Sequence, residues 1–260
     1  VIETFNEGTD TVNASIDYVL AANIENLVLT GGANIAGGGN SLDNYITGNS
    51  GDNLINGGLG ADTMEGGAGD DIYIVGSADD VIIDTSGDDT IRSTIDLTLK
   101  SGIENGELLG LLDLNLSGNS AGNNLSGNSG DNLIDGLGGA DILRGGRGED
   151  GFVASVNDGN ADTITDFVSG EDLILVDALA FGLFNPVVPS DEFSGYLTTD
   201  QIGKIVNGVS DKATAVFQMN VDTGALTLDL NPNDLIDPIT IFDLETGAED
   251  LSFTDVYVLL

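Results

Sequence analysis

The chain has 260 residues, 38 of them glycine, and carries 44 Asp and Glu against six Lys and Arg, a formal net charge of −38. Its hydrophobic share of 40% is enough to build a buried core. A surface this acidic repels nucleic acids and anionic lipids. The absence of Cys and His excludes the usual zinc, iron and copper sites and every His-dependent catalytic triad. Hard cations with oxygen ligands remain as candidate partners.

Two strands are predicted near the start of the chain, at 15–20 (SIDYVL) and 25–31 (ENLVLTG). Apolar residues alternate with polar ones in both segments and turn-forming residues flank them, a pattern typical of strands. Similar segments recur at 94–100 (TIDLTLK) and 111–118 (LLDLNLSG). We expect all four to take part in the same stacking as the repeats that lie between them.

A nine-residue repeat runs through residues 39–92 and again through 118–153. Its most regular windows are 57–65 (GGLGADTME) and 66–74 (GGAGDDIYI). The eighth position is apolar in all ten windows and the sixth is always Asp or Asn, so one position serves a core and another offers an oxygen. The sixth-position residues are Asn44, Asn53, Asp62, Asp71, Asp80, Asp89, Asn123, Asn132, Asp141 and Asp150.

The two blocks of windows belong to a longer duplication with a period of 79 residues, seen for example in Asp10 and Asp89. The two units are 1–79 and 80–158, and together they predict a first domain over 1–160. The repeated pattern is already under way at the first residue, Val1. We therefore expect a preceding segment, or a second copy of the chain, to cover this end of the stack.

A second, β-rich domain with a sandwich-like arrangement is predicted over 161–260, where the nine-residue frame stops. Longer strand candidates follow, among them 172–177 (DLILVD) and 214–230, and residues 222–224 (DTG) mark a hairpin turn in the latter. One short helix is predicted over 198–209, and no apolar run is long enough to span a membrane. Three acids lie near the start of this second domain, Asp166, Glu171 and Asp172. We expect them on a solvated edge, not in an ion site.

The repeat chemistry follows from its geometry. Six turn residues and three strand residues make half a coil of a right-handed parallel β-roll, so windows i and i+2 stack. Glycine permits positive φ and close approach, which directs carbonyl oxygens into the gap between stacked turns. Two carboxylates about 4 Å apart in that gap repel by roughly 4 kcal/mol at an effective dielectric constant near 20. A divalent cation between the two carboxylates turns this net repulsion into a net attraction. Calcium suits such an oxygen cage better than octahedral magnesium does.

The windows resemble the repeats-in-toxin (RTX) nonapeptide, Gly-Gly-x-Gly-x-Asp-x-apolar-x, and windows 57–65, 66–74 and 145–153 match every defined position. The segment 8–31 (GTDTVNASIDYVLAANIENLVLTG) resembles the stretch that alternates with these repeats in RTX exoproteins. Residues 161–177 resemble the start of the C-terminal domain of such proteins. The last six residues, DVYVLL, resemble the uncleaved C-terminal signal that type I secretion systems read.

The resemblance implies a calcium-loaded parallel β-roll in which sixth-position side chains and turn carbonyls of windows i and i+2 hold the ions. The implied side-chain pairs are Asn44 with Asp62, Asn53 with Asp71, Asp62 with Asp80, Asp71 with Asp89, Asn123 with Asp141, and Asn132 with Asp150. The implied carbonyl ligands are Gly57, Leu59, Gly66, Ala68, Gly136, Gly138, Gly145 and Arg147. Asn supplies a neutral oxygen and implies weaker sites, so we expect roughly four calcium ions.

The leading hypothesis is a calcium-binding, non-catalytic C-terminal region of a secreted bacterial RTX protein. Cytosolic calcium is too scarce to fill such sites, so the roll stays unfolded for export by the type I secretion machinery and folds outside the cell. Catalysis by a pair of acids, as in glycoside hydrolases, is disfavoured because the acids belong to the metal cage and the chain has no Trp for a sugar platform.

Two other hypotheses remain open. In a surface-layer, adhesin or filament protein, the roll would be a calcium-rigidified building block that assembles with itself. A carbohydrate-binding accessory module of an exoenzyme would need an aromatic platform, and aromatic residues make up only 5% of the chain.

Overall fold

The computed structural model describes residues 8–154, 160–168, 171–177, 216–220, 225–229, 239–244 and 256–259. Over these residues the protein is all-β, as the sequence predicts, with 23 strands and no helix. None of this part of the chain therefore forms a helix that could cross a membrane. The helix predicted over 198–209 falls outside the described residues. The chain forms two compact structural units, Val1–Gly110 and Leu111–Leu260. We call these two the first and second units, and we call 1–79 and 80–158 the 79-residue repeats.

The first unit is built from short strands separated by glycine-rich turns. Each predicted nine-residue window from 39 to 92 ends in a strand that begins at the seventh position, because the turn takes up the six residues before it. The strands are β1 Thr11–Ala14, β2 Tyr18–Val19, β3 Asn26–Leu29, β4 Ala36–Gly38, β5 Tyr45–Thr47, β6 Leu54–Asn56, β7 Thr63–Glu65, β8 Ile72–Val75, β9 Val81–Ile83, β10 Thr90–Ser93, β11 Leu97–Thr98 and β12 Asn105–Leu108.

The odd strands β1 to β9 and the even strands β2 to β12 form two parallel sheets, in the orders β1-β3-β5-β7-β9 and β2-β4-β6-β8-β10-β12. The register confirms that windows i and i+2 stack, since Ile46 pairs with Met64 and Met64 pairs with Ile82. In the other sheet Ile55 pairs with Tyr73. The predicted parallel β-roll is therefore confirmed, with one coil for every two windows.

The eighth-position side chains form the core of the roll. Ile46, Ile55, Met64 and Tyr73 are fully buried. Side chains alternate between the two faces of a strand, so the seventh position faces outward, as at Leu54, which is 42% exposed. The period-nine apolar pattern therefore places one large side chain per window in a continuous core.

The second unit repeats the same construction and continues it. Its sheets have the orders β13-β15-β17-β19-β23 and β14-β16-β18-β22-β21-β20. The strands are β13 Asn115–Ser117, β14 Asn124–Ser126, β15 Leu133–Asp135, β16 Ile142–Arg144, β17 Gly151–Ala154, β18 Asp162–Ile164, β19 Leu173–Asp177, β20 Val216–Asn220, β21 Ala225–Asp229, β22 Ile239–Leu244 and β23 Val256–Leu259.

Parallel pairing in this unit extends through β17, β19 and β23, beyond residue 160. β20 and β21 pair antiparallel, as the predicted hairpin requires, although its turn at 222–224 falls outside the described residues. The domain boundary at residue 160 and the sandwich-like arrangement of the second domain stay predictions.

The 79-residue duplication appears in the hydrogen bonds as well as in the strand order. The backbone N–H of Asp10 donates to Glu25 Oε2 at 2.9 Å. At the equivalent place in the next 79-residue repeat, Asp89 N–H donates to Glu104 Oε2, also at 2.9 Å. The same residues therefore make the same contact in both copies.

Candidate metal centre

Sixth-position side chains of successive coils are joined in a ladder of hydrogen bonds. In each predicted pair, the backbone N–H of the first residue donates to Oδ1 of the Asp two windows later. The distances are 2.8 Å for Asn44–Asp62, 2.7 Å for Asn53–Asp71, 3.1 Å for Asp62–Asp80, 2.8 Å for Asp71–Asp89, 2.7 Å for Asn123–Asp141 and 2.8 Å for Asn132–Asp150. The structure thus brings the two members of every predicted pair together.

The other carboxylate oxygen of three of these aspartates has no donor. Asp62, Asp71 and Asp89 are fully buried, and among the described residues nothing donates a hydrogen bond to their Oδ2 atoms. A buried carboxylate oxygen without a donor is unfavourable, and native proteins rarely leave one in this state. Oxygens of this kind are the ligands that a hard cation such as calcium takes. The three side chains therefore fit the ion that the sequence predicts.

Asparagine at the same position is satisfied by the protein itself. Asn44 Oδ1 accepts the N–H of Asn40 at 2.7 Å. Asn44 Nδ2 donates to the carbonyl oxygens of Ile24 and Glu25 at 3.0 and 3.1 Å. Asn53 is bonded in the same way through both atoms of its amide. The predicted role of these asparagines as calcium ligands stays a prediction.

A second asparagine strengthens the same turns. Asn40, at position two of its window, accepts the N–H of Leu42 at 2.8 Å through Oδ1. Its Nδ2 donates to the carbonyl oxygens of Ala21 and Ile24, at 2.8 and 2.7 Å. Two carbonyls of the neighbouring turn are thus joined by an amide group. In windows that begin with Gly-Gly no such side chain is present.

The first-position carbonyls predicted as ligands face the gap between turns. A Cβ added to Gly118 would lie 2.5 Å from the carbonyl oxygen of Gly136 and 2.6 Å from Asn123 Oδ1. Two oxygens therefore converge where glycine leaves room. The carbonyls of three other predicted first-position ligands crowd a glycine two windows earlier in the same way, those of Gly57, Gly66 and Gly145.

The third-position residues predicted as carbonyl ligands are tied to the turn two windows earlier through their backbone N–H groups. Leu59 donates to Asn40 O at 3.0 Å and Ala68 to Asn49 O at 3.4 Å. Gly138 and Arg147 make the equivalent bonds in the second block. Their carbonyl oxygens stay predicted ligands.

Burial raises the pKa of the ladder carboxyls. Desolvation is the largest cause, and it exceeds the opposing effect of the ladder hydrogen bond from the preceding coil. It raises the pKa of Asp71 to about 6 and the pKa values of Asp89 and Asp150 to about 7. The pKa values of Asp62 and Asp172 are raised for the same reason. Without a cation, ionised carboxylates are therefore unfavourable in this ladder.

The ladder continues past the last predicted window, which the sequence analysis missed. Asp141 N–H donates to Asp162 Oδ1 at 3.1 Å, and Asp150 N–H donates to Asp172 Oδ1 at 3.0 Å. Asp172 is only 3% exposed, so its expected place on a solvated edge is wrong. The signal was the spacing Asp-x-Ile at 162–164, the sixth to eighth positions of a window, which an insertion had moved out of frame.

Asp84 is another acid that the sequence analysis missed. It takes the first position of the window 84–92, which is glycine in the windows 57–65 and 66–74. Asp71, Asp84 and Asp89 each contribute one carboxylate oxygen, and these three oxygens lie within 4.8 Å of one another. The signal was the acid itself at a position that the repeat gives to glycine.

Comparison with known proteins agrees with this geometry. A family model described as the RTX calcium-binding nonapeptide repeat (four copies) matches residues 38–73, 74–93 and 117–152. The matched ranges contain all ten sixth-position residues of the predicted windows. No curated protein sequence matches the chain significantly.

Proposed function

Since the chain is an RTX calcium-binding repeat protein, we propose that it is a non-catalytic region of a secreted bacterial protein, which calcium folds outside the cell. The observation that carries the proposal is the row of buried carboxylate oxygens at Asp62, Asp71 and Asp89 to which no group in the described ranges donates. These oxygens oppose folding when no cation is present and favour it when one is bound.

Ionised ladder carboxylates and bound cations have opposite effects on the stability of the fold. The raised pKa values of Asp71 and Asp89 mean that ionising these groups costs more free energy in the metal-free fold than in the unfolded chain, which lowers the stability of that fold at neutral pH. A cation that binds only the folded chain contributes about 1.4 kcal/mol per site at a concentration tenfold above its dissociation constant. Stacked coils share their turns, so several sites fold together and the transition is cooperative.

Export supplies the reason for such a switch. Cytosolic calcium is too scarce to fill sites of extracellular affinity, so the chain stays unfolded and can be threaded through a type I secretion system. Outside the cell the ions are abundant and the roll forms. We propose no catalytic role, because the buried acids of the ladder each accept a backbone N–H of the preceding coil and their other oxygens suit a cation.

Calcium titration followed by circular dichroism tests the folding switch. We expect little β signal in EGTA, a cooperative gain on addition of calcium, and full reversal by excess chelator. A chain with Asp62→Asn, Asp71→Asn and Asp89→Asn should gain less β signal on addition of calcium, because the carboxylates that make folding depend on the ion are gone. Asp43→Asn should behave as wild type, because this side chain is exposed and an amide keeps the oxygen that accepts the Ala61 N–H at 2.9 Å. Full native β signal in EGTA would contradict the proposal.

Secretion is tested separately from folding. In a bacterium that carries a type I exporter, the intact chain should appear in the medium, and removal of the last six residues should abolish its appearance. Purified chain without those residues should still bind calcium. Equal export of the two forms would sink the secretion part of the proposal and leave the calcium-binding part standing.

A further inference from the structure

One turn of the first unit departs from the repeat in a way that adds charge. Where window 66–74 begins with Gly66, window 84–92 begins with Asp84, and the two windows stack. A Cβ added to Gly66 would lie 2.7 Å from Asp84 Oδ2 and would overlap Asp71 Oδ2. The absence of a side chain at Gly66 therefore leaves the space in which these two carboxylates meet.

Three carboxylates share this space. Asp71, Asp84 and Asp89 each offer one oxygen, all within 4.8 Å of one another. Calcium holds its oxygens at about 2.3 to 2.6 Å, so two ligands of one ion lie up to about 5 Å apart. The observed spacing is within that limit.

The free oxygens point to a ligand rather than to a solvated acidic patch. Asp71 and Asp89 are fully buried, and within the described part of the chain no group donates to Oδ2 of either. Their Oδ1 atoms accept the N–H groups of Asn53 and Asp71, at 2.7 and 2.8 Å, which holds both carboxylates in place. Asp84 Oδ1 accepts the N–H groups of Thr85 and Ser86, at 2.6 and 3.0 Å, which holds this carboxylate in place as well.

We propose that Asp71, Asp84 and Asp89 together hold one calcium ion, in the tightest site of the first unit and the first to fill. The inference rests on the proposed calcium-dependent folding and deepens it by assigning a ligand outside the sixth position. Affinity for calcium rises with the number of charged ligands. Neighbouring pairs built from one Asn and one Asp offer a single charge, whereas this site offers three.

Tyr73 contacts the proposed site through its hydroxyl group. Its hydroxyl donates a hydrogen bond to Asp84, and its ring is fully buried in the core. The chain has no Trp, so tyrosine is its principal sensitiser for terbium luminescence. Terbium(III) has calcium-like oxygen chemistry and emits when a nearby tyrosine is excited. A terbium ion bound by Asp84 would therefore report its own position.

The second unit provides a matched comparison. Phe152 stands where the first unit has Tyr73, and Asp166 lies beside Gly145 as Asp84 lies beside Gly66. The two oxygens of Asp166, however, accept the N–H groups of Gly145 and Gly146, at 2.9 and 3.0 Å. Arg144 also lies 3.4 Å from Asp166. Both oxygens of Asp84 also have donors, but among the described residues Asp84 forms no ion pair. Asp166 therefore differs in that Arg144 offsets its charge.

Calcium titration calorimetry on the full chain tests the site. Asp84→Asn should weaken the tightest calcium site by about tenfold or more, because it removes one of three charges and keeps the shape. Asp166→Asn should leave that site unchanged. Tyr73→Phe should remove most of the terbium emission excited through tyrosine, with the number of calcium ions unchanged.

The outcomes separate this inference from the proposed function. Wild-type affinity for every ion in Asp84→Asn, or undiminished terbium emission in Tyr73→Phe, would overturn the three-carboxylate site while calcium-dependent folding stands. A wild-type chain that binds no calcium would overturn both. Circular dichroism of each variant at saturating calcium shows whether it has folded, and Tyr73→Phe tests the site with all three acids intact.

Discussion

Asp and Asn occupy the same position of the repeat, yet the structure satisfies them by different means. Asn44 uses both atoms of its amide in hydrogen bonds to the protein. Asp62, two windows later, has one oxygen bonded and the other buried, with no donor among the residues that the structure describes. The sixth position therefore distinguishes two kinds of turn. An Asn amide is satisfied by the protein, whereas an Asp carboxylate leaves one oxygen for a cation.

Replacement of an amide by a carboxylate tests this division at Asn40. Asn40→Asp should lower stability at saturating calcium by about 1–3 kcal/mol, because two donated hydrogen bonds are lost and an anion faces two carbonyl oxygens. Urea denaturation measures the change. Asp43→Asn is the control, since Asp43 is exposed in the same turn. Equal stabilities for Asn40→Asp and wild type would show that the amide bridge does not matter.

Glycine is required at Gly60 for a conformational reason. Its φ is +129°, and an added Cβ would lie 2.5 Å from Leu42 O and 2.8 Å from Leu42 C. Gly60→Ala should destabilise the calcium-loaded fold by about 1–3 kcal/mol, measured as a shift in the midpoint of urea unfolding. Gly76→Ala has open space and no positive φ, so it should change little. A larger loss at Gly76 than at Gly60 would contradict the assignment.

At the scale of elements, no strand of the roll is stable alone. β5, β6 and β7 have three residues each, and isolated short strands do not persist in water. Their stability comes from stacking, in which Ile46 and Met64 pair along the core. The ladder that joins the turns opposes this stacking whenever its carboxylates are charged and no cation is bound. Strand formation is therefore coupled to the charge state of the turns.

This coupling predicts an unusual pH dependence for the calcium-free chain. The pKa of Asp71 in the fold is raised to about 6 and those of Asp89 and Asp150 to about 7, whereas an unfolded Asp titrates near 3.9. Between about pH 4 and pH 7 the folded state binds more protons than the unfolded state, so stability rises as pH falls through this window. Circular dichroism in calcium-free buffer should show β structure increasing on acidification.

The same carboxyls should make calcium binding weaker at low pH, because protons compete for the ligand oxygens. Replacement of Asp71, Asp89 and Asp150 by Asn should reduce the acid-induced gain of β signal. A calcium-free chain that loses structure steadily from about pH 7 to pH 4 would contradict the prediction.

At the scale of the whole molecule, charge decides the partner. A net charge of −38 on 260 residues destabilises any compact state through self-repulsion. Buried carboxylates in flexible glycine turns suit calcium, whose coordination distances vary, better than magnesium, which demands octahedral geometry and sheds water reluctantly. Both the quantity of charge and its placement therefore favour calcium.

Equal concentrations of calcium and magnesium should consequently act differently. At matched ionic strength, calcium should induce the β transition and magnesium should induce little of it, because screening alone does not satisfy buried oxygens. Light scattering in the same titration tests the alternative of a self-assembling surface protein, which predicts calcium-dependent oligomers. Identical folding in the two metals would contradict a site built for calcium.

The sequence by itself determined the period, the core and the stacking. Each coil is made of neighbouring residues, so the eighth-position side chains and the sixth-position acids could be located by counting, and the structure places them as expected at Ile55 and Asp71. The family could be recognised from the same windows. Local spacing suffices here because coils 18 residues apart repeat one geometry.

Only the tertiary structure decided which oxygens lack a donor and which acids meet. Whether a carboxylate is satisfied depends on what the adjacent coil supplies, as the backbone N–H of Asn53 does for one oxygen of Asp71 and nothing described does for the other. Asp84 joins the site through a gap left by Gly66, and Asp172 joins the ladder across an insertion. Both contacts arise from stacking between coils, which spacing within one window does not record.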